Sequence, residues 1–357
     1  MALFVLSVQK SDRVHSIIGA KRVTDRDLVA YAGSMGLENA ELQSIVPAAD
    51  DEVADALKLV FRKAPKPAQR TQIEAALDEI EHSPKANRIL LWFRCGGTSL
   101  GAVWAQIRAG RVAALWTPGL VDSGEPRIAI SLVNAVLFKA AEAGVRLVHS
   151  LLADDQAAEA DWLTGCGFKN AADLQYFVCP RAKFPSDRPD SELIFEPICD
   201  QSTTAMTQQK LARLARVIEC TYEKSLDCPA LQGLRAVEDV IAGYQGTGEF
   251  DPSRWFFVRH PQRESDIGCL LLTEHPRELR SEIIYMGISP EERGNGWGLE
   301  IVRHAQWLTR KSARGMAANK ELVLAIDAAN RPAMDVYSQA GFENRACRRV
   351  FLRVIEQ

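Results

Sequence analysis

In the second half of the chain the apolar positions change period in a fixed order. Residues 255–258 and 267–273 are short runs rich in β-branched and aromatic side chains around a polar turn, the pattern of a hairpin. Residues 281–289 form a third such run, closed by Pro290, which lacks the N–H that a ladder needs. The period then switches, and Leu299, Val302, Ala305 and Leu308 recur at helical spacing. Residues 322–326 read as a buried strand and 331–340 as a short helix, with Asn330 placed to cap its start and Gly341 to stop it. The first half shows the same order, with hairpin strands over 90–94 and 99–107 around Gly96-Gly97.

The two halves also share a weak repeat. Gly167-Phe168-Lys169-Asn170-Ala171-Ala172 aligns with Gly341-Phe342-Glu343-Asn344-Arg345-Ala346 at an offset of 174 (341 − 167). Between them, residues 179–197 hold Pro180, Pro185, Pro189 and Pro197 among charged and small residues, which blocks helix and central strand. A chain of 357 residues suits two cores better than one. The expected organisation is a domain over 1–180, a linker over 181–197 and a second domain over 198–357, each a mixed α/β (α+β) layer with its own core.

Charge and cysteine usage narrow the partners. A net charge of −3 provides no basic field for nucleic acid or anionic lipid. The basic stretches 310–314 and 345–349 read as solvated faces. No apolar run approaches the roughly 20 residues that cross a bilayer, and residues 1–8 lack a basic n-region, so a cytoplasmic location is expected. The eight cysteines are scattered singly without metal-ligand spacing, as expected of buried thiols in a reducing compartment, with no metal site.

The most informative segment follows the strand over 281–289. Glu291-Glu292-Arg293-Gly294-Asn295-Gly296-Trp297-Gly298 is a glycine-rich turn that opens a helix. Glycines let backbone approach an anion, and the unpaired N–H groups at a helix start point towards it, so the turn suits a pyrophosphate. A P-loop is excluded because no Lys-Ser or Lys-Thr follows Gly298, and the R-G-x-G-x-G spacing fits a Rossmann turn poorly. A tight connection with no ligand is the plain alternative.

Downstream comes Asn330-x-x-Ala333-x-x-x-Tyr337-x-x-x-Gly341-Phe342. With Pro290-x-x-Arg293-Gly294-x-Gly296-x-Gly298 before it, the sequence over 283–342 resembles the GNAT acyltransferase superfamily, and does so more loosely from Leu211 onward. The resemblance implies two tandem GNAT-like domains, each a mixed, mainly antiparallel sheet with helices on both faces. It implies acetyl-CoA or another acyl-CoA as the cofactor. The pyrophosphate would lie on the amides of Arg293, Gly294, Asn295, Gly296, Trp297 and Gly298, and the pantetheine arm in a gap beside a splayed strand. Met286 and Ile288 would offer backbone groups to the acyl carbonyl and the arm, and Asn330 would contact the arm. Tyr337 would be the general acid that protonates the leaving thiolate, and Glu282 the general base, acting through water or across a bulge that shortens the path. The acceptor pocket would lie near Tyr222, Asp227, Tyr244 and Trp255.

The first half has no such turn. Trp116-Thr117-Pro118-Gly119-Leu120 and Ser123-Gly124-Glu125-Pro126-Arg127 stand in its place, and the 174 offset sets Leu163 against Tyr337 and Gln156 against Asn330. A degenerate domain is therefore expected, in an arrangement similar to the mycothiol synthase branch. The implied activity is N-acetyl transfer to a primary amine of a small-molecule or peptide acceptor. A non-catalytic acyl-CoA-binding regulator is the alternative. Acceptor, acyl length and oligomeric state are not encoded in any motif.

Overall fold

The computed structural model describes residues 45–122, 125–199, 206–311 and 321–355. Residues 1–8, Ser123, Gly124 and the end of the 310–314 stretch, each given a reading above, lie outside them. The described chain forms two compact units, one of residues 45–170 with 350–355 and the other of residues 171–349. The proline-rich stretch over 181–197 therefore lies within the second unit and not between the two.

The first unit runs β1 (Ile45–Pro47), α1 (Val53–Val60), α2 (Lys66–His82), β2 (Arg88–Cys95), β3 (Thr98–Arg108), β4 (Val112–Leu120), α3 (Pro126–Glu142), β5 (Leu147–Leu152) and α4 (Ala157–Gly165). Its strands lie in the order β1-β2-β3-β4-β5, antiparallel except for β4 and β5. Leu132 and Val136 of α3 pack with Leu91, Val103 and Leu115 on one face. Leu57 and Phe61 pack with Trp92 and Trp104 on the other, so both faces are covered by helix.

The second unit holds β6 (Lys169–Pro180), β7 (Ile194–Pro197), α5 (Gln208–Tyr222), α6 (Val237–Gln245), β8 (Trp255–Arg259), β9 (Asp266–His275), β10 (Arg280–Ile288), α7 (Trp297–Lys311), β11 (Glu321–Asp327), α8 (Arg331–Gln339) and the start of β12 (Glu343–Val354). The strand order is β12-β6-β11-β10-β9-β8-β7. Pairings β6–β11, β9–β10, β8–β9 and β7–β8 are antiparallel, while β10–β11 is parallel. The proline-rich stretch supplies β7 as an edge strand, the one place where Pro197 is tolerated. Ile301, Val302 and Ala305 of α7 cover Leu270, Leu272, Leu322 and Leu324. Leu214 and Ile218 of α5 and Ile241 of α6 cover Phe257, Leu271 and Ile284 on the opposite face.

The expected mixed, mainly antiparallel architecture is thus observed, and the repeat is structural. Helices α4 and α8 are each 9 residues long and begin 174 apart (331 − 157). Each ends before a glycine in the left-handed region, Gly167 at φ 78° and Gly341 at φ 86°. A strand of 12 residues follows each of them.

Candidate active site

Strands β10 and β11 pair only over Arg280–Glu282 against Glu321–Val323, although both continue, to Ile288 and Asp327. Beyond that point they part, and alternate backbone groups on the facing edges have no ladder partner. On its other edge β10 stays paired with β9 to Ile288, with a bulge between Ile283 and Tyr285. A bulge bends its strand, which is how one edge can leave β11 while the other keeps β9. A cavity of about 470 Å³ occupies the opening, bounded by Met286 and Ile288 on one strand and Leu324 and Ile326 on the other.

The glycine turn closes one end. Gly294 and Gly296 take φ 86° and 82°, and a Cβ built on either would meet nothing within 4 Å, so the turn faces open space. Arg293 N–H bonds Pro290 O at 3.4 Å and Leu299 N–H bonds Gly296 O at 3.1 Å. The amides between them meet no backbone acceptor among the described residues. Trp297, first in α7, buries its ring against His260 at 5.1 Å between centroids and so anchors the helix start. The Arg293 guanidinium donates to the carbonyls of Thr221 (2.9 Å), Glu223 (2.9 Å), Lys224 (3.0 Å) and Ile288 (3.0 Å). It thereby gathers the orphan carbonyls at the end of α5 and ties them to the turn.

The other end is set by α8. Asn330 Oδ1 accepts from Ala333 N–H at 3.4 Å, the expected cap, and Asn330 also borders the cavity. Two turns on, Tyr337 is buried between Phe177 and Phe342 and borders the same cavity. Its hydroxyl makes no hydrogen bond among the described residues. Burial, with Asp227 nearby, raises its pKa above the ordinary phenol value, so the proton is retained at neutral pH.

A parted parallel strand pair, an open glycine turn and a buried tyrosine on the next helix thus meet at one cavity. Residues 223–342 match the Acetyltransferase (GNAT) family. A comparison with curated proteins finds no significant match. Among solved structures, a GCN5-related N-acetyltransferase from Sphaerobacter thermophilus is 14% identical with a TM-score of 0.58, the alignment covering 88% of this chain and 96% of that one. A tandem GNAT protein from the clavulanic acid biosynthesis pathway is also 14% identical, with a TM-score of 0.50 and coverage of 88% and 98%. The GCN5-related glucosamine N-acetyltransferase region of a fungal multi-domain β-N-acetylglucosaminidase is 15% identical with a TM-score of 0.55, covering 87% of this chain and 38% of that one. At such identities the structures establish a common GNAT fold.

Most of the sequence candidates lie at the cavity wall, Tyr222, Asp227 and Tyr244 among them. The Tyr222 and Tyr244 hydroxyls are 2.7 Å apart, Tyr244 stacks on Tyr285 at 5.4 Å, and Tyr285 bonds Thr221 at 2.7 Å. Asp227 Oδ1 accepts from Asp327 N–H at 3.0 Å, while Asp327 Oδ2 accepts from Cys228 N–H at 3.2 Å. Asp227 thus fixes the backbone at Asp327, and Asp327 fixes that at Cys228, which sits in the left-handed region at φ 46°. Burial raises the Asp227 pKa above the usual carboxylate range.

Three candidates stand off the wall. Trp255 is 0% exposed in the core under α6, in edge contact with Phe250 at 4.9 Å, and is a packing residue rather than part of an acceptor pocket. Asn295 turns back to donate to Glu292 O at 3.1 Å. Glu282 is 4% exposed and meets His275 Nε2 at 2.7 Å, with His275 itself 0% exposed. Sequence reasoning missed His275, Arg235, Tyr285 and Asp327. Among the described residues no cluster of side chains could hold a metal ion, and no helix is long and apolar enough to cross a membrane.

Proposed function

We propose that the second unit transfers an acyl group from acetyl-CoA, or a related acyl-CoA, to a primary amine. The observation that carries this reading is the junction of the parted strands with an open, positive-φ glycine turn at a helix start. The turn's amides bind the pyrophosphate, because that position needs backbone approach, free donors and no Cβ. The unpaired edges of β10 and β11 hold the pantetheine arm by hydrogen bonds that a neighbouring strand would otherwise make. Asn330 orients the arm from the start of α8.

In the transfer a C–N bond forms as the C–S bond breaks. Tyr337, kept protonated by burial, gives its proton to the departing sulfur. Glu282, steadied by His275, accepts a proton from the attacking amine through water, the bulge in β10 shortening that path. The first unit, with Leu163 and Gln156 at the matching places, serves as a degenerate partner without this chemistry. The test is calorimetry with coenzyme A, followed by thiol release from acetyl-CoA with a panel of amines. Coenzyme A binding with amine-dependent thiol release is expected. No affinity for coenzyme A overturns the assignment, and affinity without release from any amine favours a regulator that only binds acyl-CoA.

A further inference from the structure

Two aspartates meet at the end of β11, and they spend their oxygens differently. Asp327 is 5% exposed and uses both: Oδ1 accepts from Ala329 N–H at 2.9 Å and Oδ2 from Cys228 N–H at 3.2 Å. Asp227 is half-buried and uses one, Oδ1 accepting from Asp327 N–H at 3.0 Å, while its other oxygen has no hydrogen-bond donor among the described residues. The Asp327 N–H locates this carboxylate. Ala328 N–H donates to Asp173 O at 2.8 Å on the β6 side, and successive N–H groups of an extended chain point to opposite edges, so Asp327 N–H faces the side from which β10 has parted. Asp227 therefore holds its carboxylate in the opening between β10 and β11, on the same cavity as Met286 and Tyr337. Its loop is fixed: Asp227 N–H donates to Ser225 Oγ at 3.1 Å, and Gln232 Nε2 donates to the carbonyls of Tyr222 and Ser225, each at 3.3 Å.

A primary amine arrives at neutral pH as an ammonium and must lose two protons to become an amide, one before it can attack and one as the C–N bond forms. Glu282, bonded to His275 and off the cavity wall, is reached only through water. We propose that Asp227 is a second proton acceptor and a catalytic residue, its spare oxygen receiving the acceptor's ammonium inside the opening and removing the first proton. The proposal rests on the acyl-transfer reading above. The freed amine attacks the thioester carbonyl, the second proton passes through water to Glu282, the C–S bond breaks and Tyr337 protonates the sulfur. Two protons leave nitrogen and sulfur gains one, so one is released to solvent as the three side chains regain their starting states. Burial raises the Asp227 pKa above the usual carboxylate range, which makes it a stronger base. The Asp227 charge also acts on the Tyr337 hydroxyl, raising its proton affinity. Once Asp227 has taken a proton that charge is gone, and Tyr337 gives up its own proton more readily as the sulfur departs.

The test reads thiol release from acetyl-CoA by the whole protein with n-butylamine, phenethylamine and cadaverine, amines whose pKa is about 10. The best of them is compared with its β,β-difluorinated analogue, a far weaker base that is largely uncharged at pH 7. In the unaltered protein kcat/KM should level off well below the amine's own pKa, because the ammonium is the form that binds. Burial raises the pKa of Tyr222 to about 12 and those of Cys228, Tyr285 and Tyr337 above their ordinary values, so these neighbours keep their protons across that range. Asp227→Asn keeps an oxygen for Asp327 N–H and removes the base. It should lower kcat/KM about 10²-fold at pH 7 and make it climb about tenfold per pH unit towards the amine's pKa. The fluorinated analogue and coenzyme A affinity should be little changed. If the unaltered protein already climbs up to the amine's pKa, the proposal is overturned, whether or not the variant folds. A variant that slows both acceptors equally, or neither, overturns it too, and acyl transfer stands. Release with none of the three amines also overturns it, and if coenzyme A then fails to bind in calorimetry the acyl-transfer reading falls with it.

Discussion

The strand pairs β4–β5 and β10–β11 begin alike. Each is parallel for three residues, Val112–Ala114 with Leu147–His149 in one and Arg280–Glu282 with Glu321–Val323 in the other, and then parts. Near the end of each leading strand stands a glycine pressed by the end of a helix. A Cβ on Gly119 would lie 1.8 Å from Leu59 O, and one on Gly287 would lie 2.6 Å from the Thr221 Cβ. The difference is in what fills the opening. In the second unit it is a cavity with Tyr337 on its wall, whereas Leu120, Leu152 and Leu163 of the first unit are buried in its apolar cluster. The following helix starts with Pro126 in one case and follows two open glycines in the other. The fold supplies the splay twice, and side chains decide whether it becomes a slot or a core.

The sharpest way to break the comparison is to add one methyl to each glycine set. Gly119→Ala forces Cβ into a backbone carbonyl that cannot swing aside, and should lower unfolding free energy by about 3 kcal/mol or more in urea titration. Gly294→Ala meets no atom, so only the left-handed backbone resists it, about 1–2 kcal/mol. The melt should survive while coenzyme A affinity drops. Equal effects on stability would refute the contrast between packed and open turns. Next in size, Tyr337→Phe should reduce thiol release about 10²-fold with a much smaller change in coenzyme A affinity, as expected for loss of a general acid. Arg293→Gln strips four carbonyls of their donor and should cost about 1–3 kcal/mol while weakening coenzyme A binding.

The smallest expected effect concerns the helices behind the two openings. Helix α7 buries His304 against Phe195 at 3.6 Å, while the buried positions of α3 hold no histidine. Burial, helped by Arg188, lowers the His304 pKa from 6.5 to about 4. The unfolded chain takes up this proton near pH 6.5 and the folded one only near pH 4. Its contribution is therefore intact above 6.5 and lost as pH falls through that window, at most about 1.4 kcal/mol per pH unit. His304→Phe should flatten this part of the stability profile in acid titrations of the melting point.

Period and turn chemistry were legible in the sequence because they are local. The helix expected from Leu299, Val302, Ala305 and Leu308 runs over Trp297–Lys311, although its buried face centres on Ile301, Val302, Ala305 and Thr309. Glycines that need positive φ announced the turn. What could not be read depends on contacts far apart in the chain. Arg293 reaches Thr221, Asp227 meets Asp327 and Glu282 meets His275 only once the register of β9, β10 and β11 is fixed. Trp255 misled for the same reason: a pattern identifies its strand but not whether the side chain faces a cavity or the core.

The course of the last strands bears on where the chain can be divided. Most of β6 closes the first copy in sequence yet lies in the second unit beside β11, while residues 350–355 close the second copy and belong to the first unit. A fragment starting at residue 198 would lack β6 and so leave β11 without its partner along its whole length. The boundary of the repeat in sequence is therefore not a boundary at which the fold can be cut.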